Sequence, residues 1–149
     1  MREMKNTIKE QAIKFQIKGI DIQDIKLNYP KQPLSDQTTF HISIGLEQKF
    51  NPENKLVIVI TTVDVMNEDK ETRLASLQAS CIFEVENFED FLIKGTQQVL
   101  FPETMLVTFN SISISTVRGI MFSQFKGTFL HNAILPIVDP TKFVKNNAE

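Results

Sequence analysis

Side chains that could carry covalent or metal chemistry are few in this chain, and they are scattered. Among 149 residues there is one cysteine, Cys81, and two histidines, His41 and His131, far apart in sequence. A thiol nucleophile needs an adjacent base, and a zinc site needs a cluster of Cys and His ligands. Cys81 instead alternates with Ala79 and Phe83 in a strand pattern, which reads as a small buried residue. His41 projects from another strand, and His131 sits in a loop between apolar residues, so both read as surface or structural side chains. The acidic run Asn67 to Glu71 lacks the spacing of an EF-hand loop and reads as a solvated hairpin turn. There is no Gly-rich phosphate loop and no Gly-x-Ser-x-Gly elbow. We therefore expect no catalytic residues, no metal and no cofactor, and a protein that is not an enzyme.

What the chain has in quantity is apolar surface. Twelve phenylalanines occur with no tryptophan, many of them outside a clean core period, and exposed Phe, Met and Ile patches suit adaptable binding of apolar partners. A net charge of -2 gives no basic footprint for nucleic acid or an anionic membrane. The charged start MREMKNTIKEQAIKF is unlike a secretory signal, and a lone cysteine permits no internal disulfide, so a reducing cytoplasm is the expected compartment. Length suggests a single domain over residues 1–149, with residues 1–11 a flexible N-terminus.

The elements follow from periodicity. Ile13, Phe15 and Ile17 alternate with polar residues; at Gly19 the parity inverts to Ile20 and Ile22, and Ile25, Leu27 and Tyr29 restore the first phase. The expectation is one strand, apolar on both faces in turn, with a bulge at Gly19. Two prolines make Tyr29 to Leu34 a loop that carries apolar side chains outward. Phe40, Ile42, Ile44 and Leu46 form a second strand, and Asn51 to Asn54 a turn. The run Leu56 to Ile60 opens a third strand expected to be central and covered on both faces at one end. In the fourth, Ala75, Leu77, Ala79, Cys81, Phe83 and Val85 share one face, and its small residues invite close approach of a helix. Asn87 with Asp90 resembles an N-cap opening a short helix through Phe88, Phe91 and Leu92, stopped near Gly95.

The stretch Phe101 to Gly127 then holds only Arg118 as a charged residue between Thr104 and Gln124, in a chain that is 23% charged. Arg118, Asn110, Gln124 and many hydroxyls break any membrane span. Its SISIS centre alternates like a strand, whereas Leu106, Phe109, Val117, Ile120 and Met121 recur near helical spacing; length favours the helix. A surface helix so poor in charge must be covered on more than one side, by its own core or by an oligomer. After Gly127 an apolar segment with proline leads to Asp139-Pro140-Thr141 and a short helix through Phe143.

The run FQIKGIDIQDIKLNYPKQP, Phe15 to Pro33, resembles the first strand and crossover loop of the SecB family of protein-export chaperones. Ile82-Phe83, Leu100-Phe101-Pro102, Arg118-Gly119 and LPIVDPTKF, Leu135 to Phe143, are similar to further parts of that family, so the likeness spans Phe15 to Val144. It implies an α+β fold: a four-stranded antiparallel sheet with a long helix and shorter helices on one face. It also implies a homotetramer, a dimer of dimers, in which Ile20 and Ile22 of the first strand and Ile112 and Val117 of the long helix meet other protomers. Clients would bind in an apolar groove at Tyr29, Leu34, Leu135, Ile137 and Phe143. Docking of the translocase motor SecA would use Asp24 and Leu74, although Asn28 and Ser76 stand where the family has acids, and the chain stops at Glu149 without the family's longer tail.

The resulting expectation is an ATP-independent holdase for non-native polypeptides, in protein export or, as in toxin/antitoxin-associated members, guarding an antitoxin. The rival from another class is a carrier that encloses a small apolar ligand within one protomer.

Overall fold

The computed structural model describes residues 14–144; the segment 1–11 expected to be flexible, and Ile13, lie outside the described residues. Strands β1 (Phe15–Leu27), β2 (His41–Asn51), β3 (Leu56–Met66) and β4 (Arg73–Val85) form one antiparallel sheet in the order β1-β4-β3-β2. Helix α1 (Glu103–Phe125) packs on one face, so the expected α+β architecture stands. The SISIS segment is helical throughout. Two of its three hydroxyls return to the carbonyl one turn back, as do those of neighbours: Ser111 Oγ donates to Val107 O at 2.9 Å, Ser113 Oγ to Phe109 O at 2.8 Å and Thr116 Oγ1 to Ile112 O at 2.8 Å, while Ser115 is exposed. Alternation of small hydroxyl residues with isoleucine therefore costs this helix no unsatisfied groups.

The two shorter helices are each a single 3-10 turn, Phe88–Phe91 and Pro140–Phe143. Asn87 does not cap the first. Its backbone, φ -103° and ψ 41°, is not the extended one of an N-cap, and its Nδ2 donates to Asp90 Oδ2 at 3.3 Å instead. That turn also ends before Gly95, at Leu92, which pairs with Val99 across the following loop. Asp139 does cap the second, accepting from Thr141 N at 3.0 Å.

In β1 the structure overturns the two-faced reading. The pairing with β4 slips by one residue between Ile17 and Gly19 and again between Ile22 and Asp24, leaving Lys18 and Gln23 as extra residues. Each bulge cancels one change of parity in the sequence. Ile17, Ile20, Ile22 and Ile25 consequently stand opposite Phe83, Cys81, Ala79 and Leu77, all on the helix side. The bulge foreseen at Gly19 is there, but it unites the apolar residues on one face instead of dividing them. Because α1 lies over the central strands, Ile17, Ile20 and Ile22 remain 45–48% exposed.

β3 is central, as expected, but covered on one face only: Val57, Val59, Thr61, Val63 and Val65 are buried, while Ile58 and Ile60 on the other face are half-buried.

The core beneath α1 divides in two. Val57, Val59, Cys81 and Phe83 join Met105, Leu106 and Phe109 from the first half of the helix in a phenylalanine-rich cluster; Phe83 and Phe109 stand 4.8 Å apart between ring centroids. Val63, Leu77 and Ala79 join Ile114, Val117, Met121 and Phe125 from the second half, with Leu130 and Leu135. Between the two lies a polar band of Thr61, Asn110 and Ser113, all buried, with Gln48 of β2 reaching in to donate to Asn110 Oδ1 at 2.6 Å.

Candidate functional site: the crossover pocket

β1 and β2 occupy opposite edges of the sheet, so residues 28–40 must cross the ends of β4 and β3. Two prolines, Pro30 and Pro33, suppress strand pairing along this loop. The sheet cannot absorb its apolar side chains, and they rest instead on the segment that follows α1. Leu34 and Phe40 pack on the core, and the Tyr29 ring lies 4.6 Å from that of Phe129. A cavity of about 410 Å³ opens between these segments, walled by Tyr29, Pro33, Leu34, Phe40 and Phe129. Lys31, Asp36 and His131 are also among its lining residues. Imidazole Nδ1 of His131 donates to Thr128 O at 3.0 Å, which fixes the ring.

Of the expected groove residues, Tyr29 and Leu34 meet in this cavity; the other three do not. Leu135 is 1% exposed and belongs to the core, because the extended segment after Ala133 alternates and turns that side chain inward. The alternation then breaks: Ile137, two residues on from Leu135, is 89% exposed while Val138 packs on the core, and Phe143 is half-buried against the same cluster. The segment is held to the helix by Arg118, which donates from Nε to Leu135 O and from Nη2 to Pro136 O, both at 2.8 Å. Phe40 and Phe129, which complete the pocket, were visible in the sequence only as members of apolar runs.

Other expected positions also shift. Val117 is 0% exposed within its own chain and so does not lie on the open side of α1, whereas Ile112 is half-buried at its flank, touching the aromatic cluster and one turn from exposed Thr108 and Ser115. For Val117 the reason is phase: the buried line Met105, Phe109, Ser113, Val117, Met121, Phe125 repeats every four residues, and the exposed positions include Thr104, Thr108, Ser115, Gly119 and Phe122 on the opposite side. Leu74 is 0% exposed, as the extra residue where the β3–β4 register slips, and cannot meet a docking partner. Asp24 is exposed, 3.6 Å from Lys26. By length and composition α1 could cross a membrane, but in this fold its apolar line is buried on the sheet.

Among the described residues no group of three or more His, Cys, Asp or Glu side chains could hold a metal ion. The shifted carboxylates lie elsewhere, in turns and at the sheet margin. The Thr72 hydroxyl, then the Thr72 and Glu71 amides, hold Asp69 below its ordinary value; Lys18 does the same for Glu84, and Thr141 for Asp139.

No family model matches this chain, and no curated protein does. Among solved structures it is similar to a SecB-like chaperone of Mycobacterium tuberculosis in complex with a ChAD peptide from the HigA1 antitoxin. The two share 12% identity over 83% of this chain and 84% of that one, with a TM-score of 0.53. A protein of unknown function from Streptococcus agalactiae aligns over 77% of this chain and 90% of its own, at 10% identity and a TM-score of 0.41. The four-stranded antiparallel sheet with one long helix thus matches the fold of that SecB-like chaperone.

Proposed function

We propose that this chain is an ATP-independent holdase that takes extended apolar segments of non-native polypeptides into the crossover pocket. The observation that carries the reading is the pocket itself: an open aromatic cavity under a proline-stiffened loop, with Tyr29 77% exposed at its mouth. A concave site lined mainly by apolar and aromatic side chains with a few polar groups is the usual form of a binding site. Binding would draw on burial of client apolar area at about 25 cal/mol per Å² and needs no reacting group. The antitoxin peptide held by the M. tuberculosis neighbour favours a dedicated client of that kind over general export service. The loss of Leu74 from the exposed surface leaves Asp24 alone of the motor-docking pair.

The fold as described leaves two surfaces for further copies of the chain. One is the isoleucine row of β1; the other is the outer side of α1, where Thr108 and Ser111 hydroxyls are already satisfied by the helix and can be covered without losing hydrogen bonds. We assign both to a homotetramer.

The decisive experiment is suppression of aggregation of a refolding client. No suppression at equimolar tetramer, with the fold intact, sinks the holdase reading. A cavity of about 410 Å³ is also the size of a small-ligand site, which favours the carrier reading as the alternative. Native mass spectrometry separates the two: a monomer that retains a bound lipid supports the carrier.

A further inference from the structure

The crossover loop is fastened to the rest of the fold by hydrogen bonds near its two ends. At the start, Asn28 N donates to Leu74 O at 2.9 Å, with Asn28 Nδ2 3.4 Å from Arg73 O. Near the end, Thr39 N donates to Glu68 Oε1 at 2.8 Å. Inside the loop, Thr38 N bonds Ser35 O at 3.1 Å and their hydroxyls lie 3.3 Å apart. Those bonds stay within the loop. The second fastening is thus a single carboxylate on the hairpin between β3 and β4, directly beside Thr38 and Phe40, which line the pocket.

That hairpin is built to present the carboxylate. Asp69 accepts from Glu71 N and Thr72 N at 2.9 Å each and from the Thr72 hydroxyl at 2.6 Å, while Asn67 Oδ1 accepts from Glu68 N itself at 2.8 Å. Asn67 N to Thr72 O closes the turn at 2.9 Å. The Asn67, Asp69 and Thr72 side chains bond inward to the turn, and among the bonds described Glu68 alone in the turn reaches across to another segment.

We propose that Glu68 is the positioning residue of the client pocket: its carboxylate pins Thr39, and so sets where Phe40 and Thr38 stand relative to Tyr29 and Phe129. This rests on the pocket being the binding site. A loop held at that end by the packing of Leu34 and Phe40 alone would meet more of the ordering cost on each binding event than one whose Thr39 is also pinned. Charge-assisted hydrogen bonds of this kind are stronger than neutral ones, which suits the one side-chain hydrogen bond that ties this end of the loop to another segment.

The test uses the full chain and its own optics. Tyr29 is the single tyrosine, no tryptophan is present, and its emission therefore reports on the pocket alone. In the ligand-free protein, time-resolved anisotropy should show a larger fast component in Glu68→Ala and Glu68→Lys, which lack the acceptor. Glu68→Gln, whose amide oxygen still accepts from Thr39, should restore it. With a synthetic peptide of Phe, Leu and Ser, free of Tyr and Trp, the Ala and Lys variants should bind about tenfold more weakly and Gln within about threefold of the parent. Unchanged anisotropy and affinity in Glu68→Ala overturn the proposal, as does a Glu68→Gln variant as loose as Glu68→Ala. If the parent binds no peptide, the holdase reading falls, and the anisotropy ranking still decides whether Glu68 pins the loop.

Discussion

Arg118 and Leu135 are joined by a 2.8 Å hydrogen bond from guanidinium to main-chain carbonyl, and the same guanidinium reaches Pro136 O. The one charge in the middle of α1 thus serves the backbone of the following segment. We predict that Arg118→Ala lowers stability by about 2–3 kcal/mol, since bonds to charged donors exceed neutral ones. Arg118→Lys should recover less than half, because an ammonium cannot span two carbonyls as a fork does. Urea midpoints measure both, and limited proteolysis should show earlier cutting after Leu130.

On α1, aspartate at the buried and exposed phases should have opposite consequences. Val117→Asp places an unpaired charge in the core and should cost more than about 4 kcal/mol, enough to unfold the chain. Phe122→Asp and Ser115→Asp should leave the circular dichroism spectrum unchanged while reducing the oligomer mass by light scattering. A mass unaffected by both would remove α1 from the assembly surface.

Client holding should follow the pocket and not the core residue once grouped with it. Tyr29→Ala and Phe129→Ala should each weaken peptide binding roughly tenfold, the worth of a lost aromatic contact and its buried area, with little change in melting temperature. Leu135→Ala should instead cost about 2–5 kcal/mol of stability. Binding isotherms and thermal melts on the same samples separate the effects.

The polar band gives an asymmetric prediction. Gln48→Leu removes the partner of Asn110 Oδ1 and should destabilise by about 1–3 kcal/mol, because a buried amide then stands alone. Adding Asn110→Leu should return most of that loss. A double-mutant cycle with strictly additive effects would show that the two side chains do not act as a pair.

Acid should act through the lowered carboxylates. Folded-state values of Asp69, Glu84 and Asp139 lie below the ordinary 3.8 to 4.5, so their stabilising contribution is complete above those values and is lost as pH falls through the lower, folded ones. Stability should be flat with respect to these groups above about pH 5 and decline below about pH 4. Asp69→Asn should flatten part of that decline.

The four strands, their turns and the long helix were legible because each rests on a local period. Long-range information was missing wherever a side chain's surroundings depend on pairing. Parity in β1 read as two faces, since a bulge is visible only against β4; the sequence marks Gly19 but not the second extra residue, Gln23. Val117 looked available to a partner until the four-residue repeat of buried positions fixed the helix phase. Tyr29 and Leu34 could be placed at a site from the prolines around them, whereas Phe129 came from a segment about a hundred residues later, and nothing local announces that meeting. Leu135 and Ile137, two residues apart and so in phase by sequence, differ in fate because the alternation breaks between them and Val138 turns inward instead.

The sheet order also bears on how the chain is assembled in time. β2, β3 and β4 pair with neighbours in sequence, but β1 pairs only with β4 among the described strands, Phe15 against Val85. While the polypeptide is being synthesised, the first strand emerges with its isoleucine row and waits through the whole β-meander for its template. Long-range pairing of this kind is slow to form and leaves apolar chain exposed meanwhile. By this topology the nascent chain passes through the same condition, an unpaired apolar segment, that the finished protein is proposed to shelter in others.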